Sequence, residues 1–163
     1  MRTSLRLPAV PALVLWCIVP GCASGDEGAG GGALPAPPRP TMGYVTNLER
    51  ATIENEDYRR VLFTAEHMQL VLMTLQPGEK IGLEVHKDGD QFFRVEAGTG
   101  TVSMNGKVTE IGAGSAFVVP AGVEHNVVNT GTTPLKLYTV YCPPRHPPGT
   151  VQRTKREAEA AGR

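Results

Sequence analysis

Four polar side chains of metal-ligand type stand in two segments of the chain. Glu84 and His86 are two residues apart, Gln91 follows five residues later, and His125 lies much further along. Two imidazoles, a carboxylate and an amide oxygen suit one divalent transition metal such as Mn, Fe, Ni or Zn, with positions left open for water or substrate. The chain therefore predicts a single metal centre, provided that the four side chains converge.

The segments around these residues have the pattern of β-strands. Side chains alternate between the two faces of a strand, so Glu84 and His86 are expected to point to the same face. The polar turn at 87–90 reverses the chain, and Gln91 opens the next strand, where it can face the same cavity. His125 stands at the start of another predicted strand. We expect all four side chains to meet inside a β-barrel.

The body of the chain alternates apolar, β-branched runs with turn signals, which is typical of a sandwich or barrel. Asn105 and Gly106 predict a tight type I′ hairpin, since both central residues of that turn need a positive φ. One short helix is predicted near the end, where Thr154 and Glu157 can form a capping box. The predicted strands are 60–65, 68–75, 81–86, 91–96, 100–104, 107–111, 116–119, 124–129 and 135–141.

The spacing of glycines, prolines and ligand-type residues resembles that of the cupins, and specifically of small single-domain bacterial type-2 cupins, some of which are labelled mannose-6-phosphate isomerase-like. The resemblance covers about residues 60–142 and implies an all-β fold, a double-stranded β-helix (jelly-roll) barrel, here with a short C-terminal helix. It also implies a homodimer. The two motifs are Gly78-(x5)-Glu84-x-His86-(x4)-Gln91-(x6)-Gly98 and Gly114-(x5)-Pro120-x-Gly122-(x2)-His125-(x3)-Asn129.

The resemblance assigns the metal to Glu84, His86, Gln91 and His125, with two departures from the usual pattern. Glu84 stands where cupins usually have a first histidine, and Gln91 stands where they usually have a glutamate. The carboxylate has moved, so the ligand charge is unchanged and a two-histidine, one-carboxylate set remains. Similarity to three-histidine quercetin dioxygenases and to oxalate decarboxylases is weaker as a result. Glu84 is also a candidate general base.

Further side chains are candidates for the pocket because they share the face of the predicted ligands: Phe93, Val95, Val127 and Asn129. For the apolar ones, an ordinary hydrophobic core is the competing interpretation. Tyr138 and Tyr141 have opposite parity on the last strand, so at most one should face inward. His146 follows in a rigid proline-rich segment that could cover a barrel mouth, but we expect it to be a solvated loop residue. Cys142 is expected to be a buried, inert thiol.

Residues 1–21 resemble a secretion signal, because Arg2 and Arg6 precede an uncharged apolar stretch that is too short to span a membrane. The sequence before Cys22 resembles a bacterial lipobox, which predicts export to the periplasm or cell envelope and attachment to the membrane by a lipid at Cys22. Simple secretion and an uncleaved anchor remain open. The predicted organisation is a signal peptide at 1–21, a Gly/Pro-rich tether at 22–42, a cupin domain at 43–151 and a short C-terminal helix or tail at 152–163.

The charge balance argues against nucleic acid as a partner. The chain has 16 basic and 16 acidic side chains, and removal of residues 1–21 would leave 14 basic against 16 acidic groups. Binding to phosphate backbones would require a clustered basic excess.

Two functions fit these observations. The first is an extracytoplasmic, metal-dependent enzyme, an isomerase, lyase or dioxygenase, that acts on a small polar molecule, either sugar-like or an oxo-acid. The alternative is a non-catalytic lipoprotein that binds or senses a carbohydrate-like ligand in the same pocket. The substrate depends on pocket side chains whose orientation the sequence only partly determines.

Overall fold

The computed structural model describes residues 42–162. The predicted signal peptide, Cys22 and all but the last residue of the predicted tether lie outside this range. Export and lipid attachment therefore stay predictions, as does the homodimer. No helix among the described residues is both long and apolar enough to cross a membrane.

The described residues form ten strands and two short helices, and the predicted all-β class with a short C-terminal helix is confirmed. Each of the nine predicted strands is present, although the one predicted at 81–86 is reduced to two residues. The elements are α1 (Leu48–Glu54), β1 (Arg59–Thr64), β2 (Gln69–Leu75), β3 (Glu84–Val85), β4 (Asp90–Ala97), β5 (Thr99–Met104), β6 (Lys107–Gly112), β7 (Ala116–Val119), β8 (Glu124–Asn129), β9 (Leu135–Cys142), β10 (Val151–Gln152) and α2 (Lys155–Ala160).

The strands form two sheets in which all neighbours are antiparallel. The six-stranded sheet has the order β10-β1-β2-β9-β4-β7, and the four-stranded sheet has the order β3-β8-β5-β6. One apolar core is shared between them. It includes Val71, Phe93 and Leu137 from the larger sheet and Val102 and Val127 from the smaller one. This arrangement agrees with the predicted jelly-roll.

The β5–β6 connection has the predicted hairpin conformation, with φ angles of 46° at Asn105 and 80° at Gly106. On β9, the alternation buries Tyr141 and turns Cys142 outward. The expectation of a buried thiol was therefore wrong. Tyr141 is the inward-facing tyrosine of the pair considered above, because Tyr138 remains partly accessible.

Two short elements were not predicted from the sequence. Helix α1 begins after Asn47, whose side chain accepts a hydrogen bond from the Arg50 N–H at 2.9 Å. Strand β10 pairs with the outer edge of β1. Helix α2 begins after Thr154 as predicted, and the Thr154 hydroxyl accepts a hydrogen bond from the Glu157 N–H at 3.3 Å. The Glu157 carboxylate accepts from the backbone of Arg153, one residue before the expected partner.

Substitution of Gly98 tests the close approach between this residue, which joins β4 to β5, and the chain at the start of β9. Gly98 has a φ of +86°, and an added Cβ would lie 2.6 Å from the Pro134 carbonyl oxygen. We expect Gly98→Ala to lower the free energy of unfolding by about 3 kcal/mol or more, from backbone strain plus overlap. Gly78→Ala is the control, because Gly78 has a similar φ of +80° but no atom within 4 Å of the added Cβ. It should cost only about 1–2 kcal/mol. Equal losses in urea denaturation would contradict this account.

Candidate metal centre and its cavity

The pairing of β3 with β8 brings the two separated sequence segments together. Glu84 lies directly opposite His125 in this antiparallel register. The alternation along β3 exposes Leu83 and Val85 and turns Glu84 and His86 inward, with only 14% and 18% of their side chains accessible. Although the strand is only two residues long, the register and the alternation place three candidate ligands on one side of the smaller sheet.

Glu84, His86 and His125 form a compact cluster in which the potential ligand atoms lie within 4.8 Å of one another. The His86 Nε2 atom lies 3.5 Å from the nearer Glu84 oxygen, and the two imidazole rings are 5.3 Å apart. His86 Nε2 is buried, yet it has no hydrogen-bond partner among the described residues. A buried ring nitrogen in this state is suited to ligate a metal ion.

His125 is fully buried and faces an acceptor on each side of its ring. Nδ1 lies 3.2 Å from the Val123 carbonyl oxygen, and Nε2 lies 3.1 Å from the Gln91 Oε1 atom. Burial is the main reason that the pKa of His125 is lowered, so the ring is neutral and carries one proton. One proton cannot serve both acceptors. If Nδ1–H donates to Val123, a divalent cation shared by Nε2 and Oε1 resolves the conflict.

Gln91 supplies this contact from the opposite sheet. It lies on β4, is 1% exposed, and its Nε2 donates to the Thr139 hydroxyl on β9 at 3.0 Å. The hydrogen bond with Thr139 orients the amide so that its oxygen points toward His125. The amide oxygen therefore adds a fourth donor beside the cluster, as predicted from the motif, and links the two sheets at this point.

The charge state of Glu84 favours a ligand role over a catalytic base. Burial by itself would raise the pKa of Glu84, but the polar contact with His86 and the positive charge of Arg59 outweigh it and hold the pKa below its usual value. A carboxylate with a lowered pKa is anionic at neutral pH and is a weak base. The residues present thus fit one divalent cation, held by Glu84, His86 and His125 with Gln91 adjacent.

A cavity of about 260 Å³ lies beside the cluster. This volume is below the usual range for pockets that hold drug-sized ligands, so the cavity suits a small molecule. Its lining includes Glu84 and His86 but neither His125 nor Gln91, so the cavity reaches the cluster from the side of Glu84 and His86. The polar wall consists of Arg59, Glu84, His86, Tyr141, Arg145 and His146, and Leu83 and Val85 complete it.

Sequence reasoning missed Arg59 and Arg145 and misplaced His146. His146 lines the cavity, and its ring packs edge-on against Tyr141 at 5.2 Å. The expectation of a solvated loop residue was therefore wrong. One available signal was that the proline-rich segment directly follows the strand that carries the inward-facing Tyr141. For Arg59, the signal was its parity with the apolar Val61 on β1.

The segment 143–147, here called the strap, is held over the cavity by one buried side chain. Gln69 is 0% exposed and its Nε2 donates to the His146 carbonyl oxygen at 2.7 Å. Its Oε1 accepts from the backbone N–H groups of Arg145 at 3.3 Å and His146 at 3.0 Å. The amide of Gln69 thus fixes the backbone of both residues that the strap contributes to the cavity wall.

The four residues predicted to line the pocket lie elsewhere: Phe93, Val95, Val127 and Asn129. The first three are completely buried in the apolar core. Phe93 still supports the site, since its ring packs edge-on against His125 at 6.2 Å. Asn129 donates to the carbonyl oxygens of Leu75 and Thr133 and accepts from the Gly131 N–H. It therefore stabilises the turn after β8. Correct parity placed these side chains inside the barrel, but the cavity lies at its end.

Two antiparallel sheets around a shared core, with histidines and a carboxylate clustered at one end, define a small β-barrel protein with a candidate metal centre. The chain belongs to the cupin superfamily, since the cupin domain family matches residues 71–141.

Three relatives are similar over most of the described residues. Protein YrkC of Bacillus subtilis is 50% identical over 124 residues, which are 72% of this chain and 67% of YrkC. A protein of Acanthamoeba polyphaga mimivirus is 41% identical over 124 residues, covering 73% of this chain and 77% of that protein. The crystal structure of BH2720 from Bacillus halodurans has a TM-score of 0.72 and 47% identity, covering 74% of this chain and 96% of that chain.

The buried position of His146 generates a prediction for the pH dependence of stability. Burial, followed by the charge of Arg59, lowers the pKa of His146 from 6.5 to about 4. Between these values the unfolded chain binds a proton that the folded chain does not, so the free energy of unfolding should fall as the pH falls from 6.5 to about 4. In urea denaturation of chelator-treated protein, the free energy of unfolding of His146→Asn should fall less between pH 6.5 and about 4 than that of the wild type. An identical loss in both proteins would contradict the assignment.

Proposed function

We propose that this protein is a metal-dependent cupin enzyme that acts on a small polar molecule bound in the cavity beside Glu84 and His86. The observation that carries the proposal is the meeting of a two-histidine, one-carboxylate cluster with the wall of a small cavity. The buried Nε2 atom of His86, which has no partner in the described part of the chain, supports a bound cation at this point.

The chemistry follows from the groups present. A bound divalent metal supplies a Lewis acid that polarises a substrate oxygen. Glu84, His86 and His125 would hold this metal with Gln91 adjacent, and the Glu84 carboxylate would offset part of its charge. Tyr141 lines the cavity, and burial raises the pKa of its hydroxyl, which therefore stays protonated as a hydrogen-bond donor. An isomerase, a lyase or a dioxygenase would each use these elements.

The export of the protein is a separate part of the proposal. It is supported by the signal-like residues 1–21 and by the lipobox-like sequence before Cys22. If both are correct, the reaction takes place at the cell envelope, on a substrate that is present outside the cytoplasm.

Metal content tests the centre directly. We expect protein purified without chelator to contain about one equivalent of a divalent transition metal. His86→Ala and His125→Ala should lose most of it, because each removes one of the few protein donors. His67→Ala is the control, since its side chain is 88% exposed and lies outside the cluster. Elemental analysis of all four proteins, each checked for folding by circular dichroism, gives the result. Absence of metal from the wild type, or retention in both cluster variants, would contradict the proposal.

The reaction class depends on the metal found. Iron together with oxygen consumption in the presence of small oxo-acids would indicate a dioxygenase, whereas zinc or manganese without oxygen consumption would indicate isomerase or lyase chemistry. An oxygen electrode and product analysis separate these cases. Tight binding of a substrate-like molecule without turnover, in protein shown to contain metal, would instead favour the non-catalytic alternative.

A further inference from the structure

Among residues 42–162, Arg59 is a buried cation with no carboxylate in ion-pair contact, although its charge helps to lower the pKa of Glu84. The residue is only 3% exposed, and among residues 42–162 no acidic side chain forms an ion pair with it. Its Nη1 donates to the Gln152 amide oxygen at 2.9 Å, and its Nε is buried without a hydrogen-bond partner. The ring of Tyr58 lies 5.6 Å from the guanidinium carbon. A buried charge is usually paired, because it has lost its hydration.

The position of Arg59 beside two cavities indicates that a bound molecule could supply the missing anionic partner. Arg59 lines the cavity beside the metal-ligand cluster and also a neighbouring cavity of about 310 Å³. Arg145 and His146 line both cavities as well. The guanidinium of Arg59 therefore lies where a molecule bound next to Glu84 and His86 would extend.

Arg145 adds a second positive charge from the strap. Its Nη2 pairs with an oxygen of Asp88 at 2.5 Å, and this carboxylate belongs to the turn between β3 and β4. The Asp88 side chain is 71% exposed. Ion pairs with a solvated partner contribute little free energy, so Arg145 can turn to a ligand without a large loss of stability. The Gln69 amide holds the backbone of Arg145 in place, so that the charge stays at the cavity.

The lining residues of the first cavity carry two cations and one carboxylate. Arg59 and Arg145 stand beside Glu84, and the Asp88 carboxylate that pairs with Arg145 lies outside the lining. A divalent cation at the cluster would leave a net positive excess on this wall. Low-dielectric walls strengthen the effect of such an excess on a bound molecule.

We propose that the cavity selects a small organic anion, whose carboxylate or phosphate group binds Arg59 with Arg145 beside it while its other polar end faces Glu84 and His86. This inference rests on the proposed function and narrows it from a polar substrate to an anionic one. Guanidinium groups bind carboxylate and phosphate oxygens through paired N–H donors, and both groups are small enough for the available space. Neutral sugars leave the charge of Arg59 unpaired.

The test compares anions with neutral molecules of the same shape. Isothermal titration calorimetry on full-length protein purified without chelator, at constant ionic strength, would use lactate against lactamide and glycerol phosphate against glycerol. We expect at least one anion to bind about tenfold or more tightly than its neutral counterpart, as a charge-assisted hydrogen bond implies. The pair that shows the preference identifies carboxylate or phosphate as the recognised group.

Variants assign the preference to the arginines. Arg59→Gln should remove the preference for the anion, lowering its affinity about tenfold or more, while leaving affinity for the neutral molecule unchanged. Arg60→Gln is the matched control, because Arg60 is the next residue on the same strand, is exposed and pairs with Asp57. It should bind as the wild type does. If Arg59→Gln does not fold, Arg145→Gln replaces it, since that side chain is 26% exposed and its loss should disturb the core little.

The metal measurement keeps this inference separate from the proposed function. Elemental analysis is performed on each variant, and Arg59→Gln should keep its metal. Loss of the anion preference in Arg59→Gln supports the inference, even if wild-type protein proves to contain no metal. Equal binding of anions and neutral molecules, no measurable binding of any anion by the wild type, or an unchanged preference in both Arg59→Gln and Arg145→Gln would overturn it.

Discussion

The site depends on the contact between His125 and Gln91, which joins the two sheets at one end of the barrel. His125 comes from the smaller sheet and Gln91 from the larger one, and 3.1 Å separates the ring nitrogen from the amide oxygen. The neutral ring has one proton for two acceptors, so this buried contact is unfavourable unless a further group completes it. A shared cation would be that group. The packing of the sheets thereby brings the candidate metal ligands of both sheets together.

The cavity has a rigid side and a side that consists of irregular chain. Strands β1, β3 and β9 contribute Arg59, Glu84 and Tyr141, whose positions follow from ladder register. The strap contributes Arg145 and His146 without strand pairing. Three hydrogen bonds with the Gln69 amide, which donates one and accepts two, take the place of a ladder. Because Gln69 lies on a buried strand, its hydrogen bonds hold the strap backbone in a fixed position relative to the sheet. This is a common way in which a scaffold positions functional loop residues.

The same region concentrates groups that are poorly satisfied on their own. His86 Nε2, Arg59 Nε and His146 Nε2 are all buried without hydrogen-bond partners in the described part of the chain. Two further atoms in this state, Asn55 Oδ1 and Arg94 Nε, do not line the cavity, whereas the side chains of Asn129, Gln69 and Thr139 are satisfied within the protein. Since unpaired buried polar groups are costly, the presence of three of them at one cavity points to binding there rather than to stability.

The local sequence was sufficient for the strands and the Asn105-Gly106 hairpin, because alternation and positive φ are short-range properties. Motif spacing named the four candidate donors, whose role as metal ligands stays a prediction. The local sequence also correctly placed Phe93, Val95, Val127 and Asn129 on inward faces. Their assignment to the pocket failed because parity distinguishes inside from outside but does not give the depth along the barrel. Arg59, Arg145 and His146 became visible only in the tertiary structure, since they depend on the pairing of β1 with β10 and on hydrogen bonds from Gln69 across 76 and 77 residues. The sequence by itself thus determined which donors could bind a metal, and the fold decided which charges face the ligand, because that depends on contacts between distant segments.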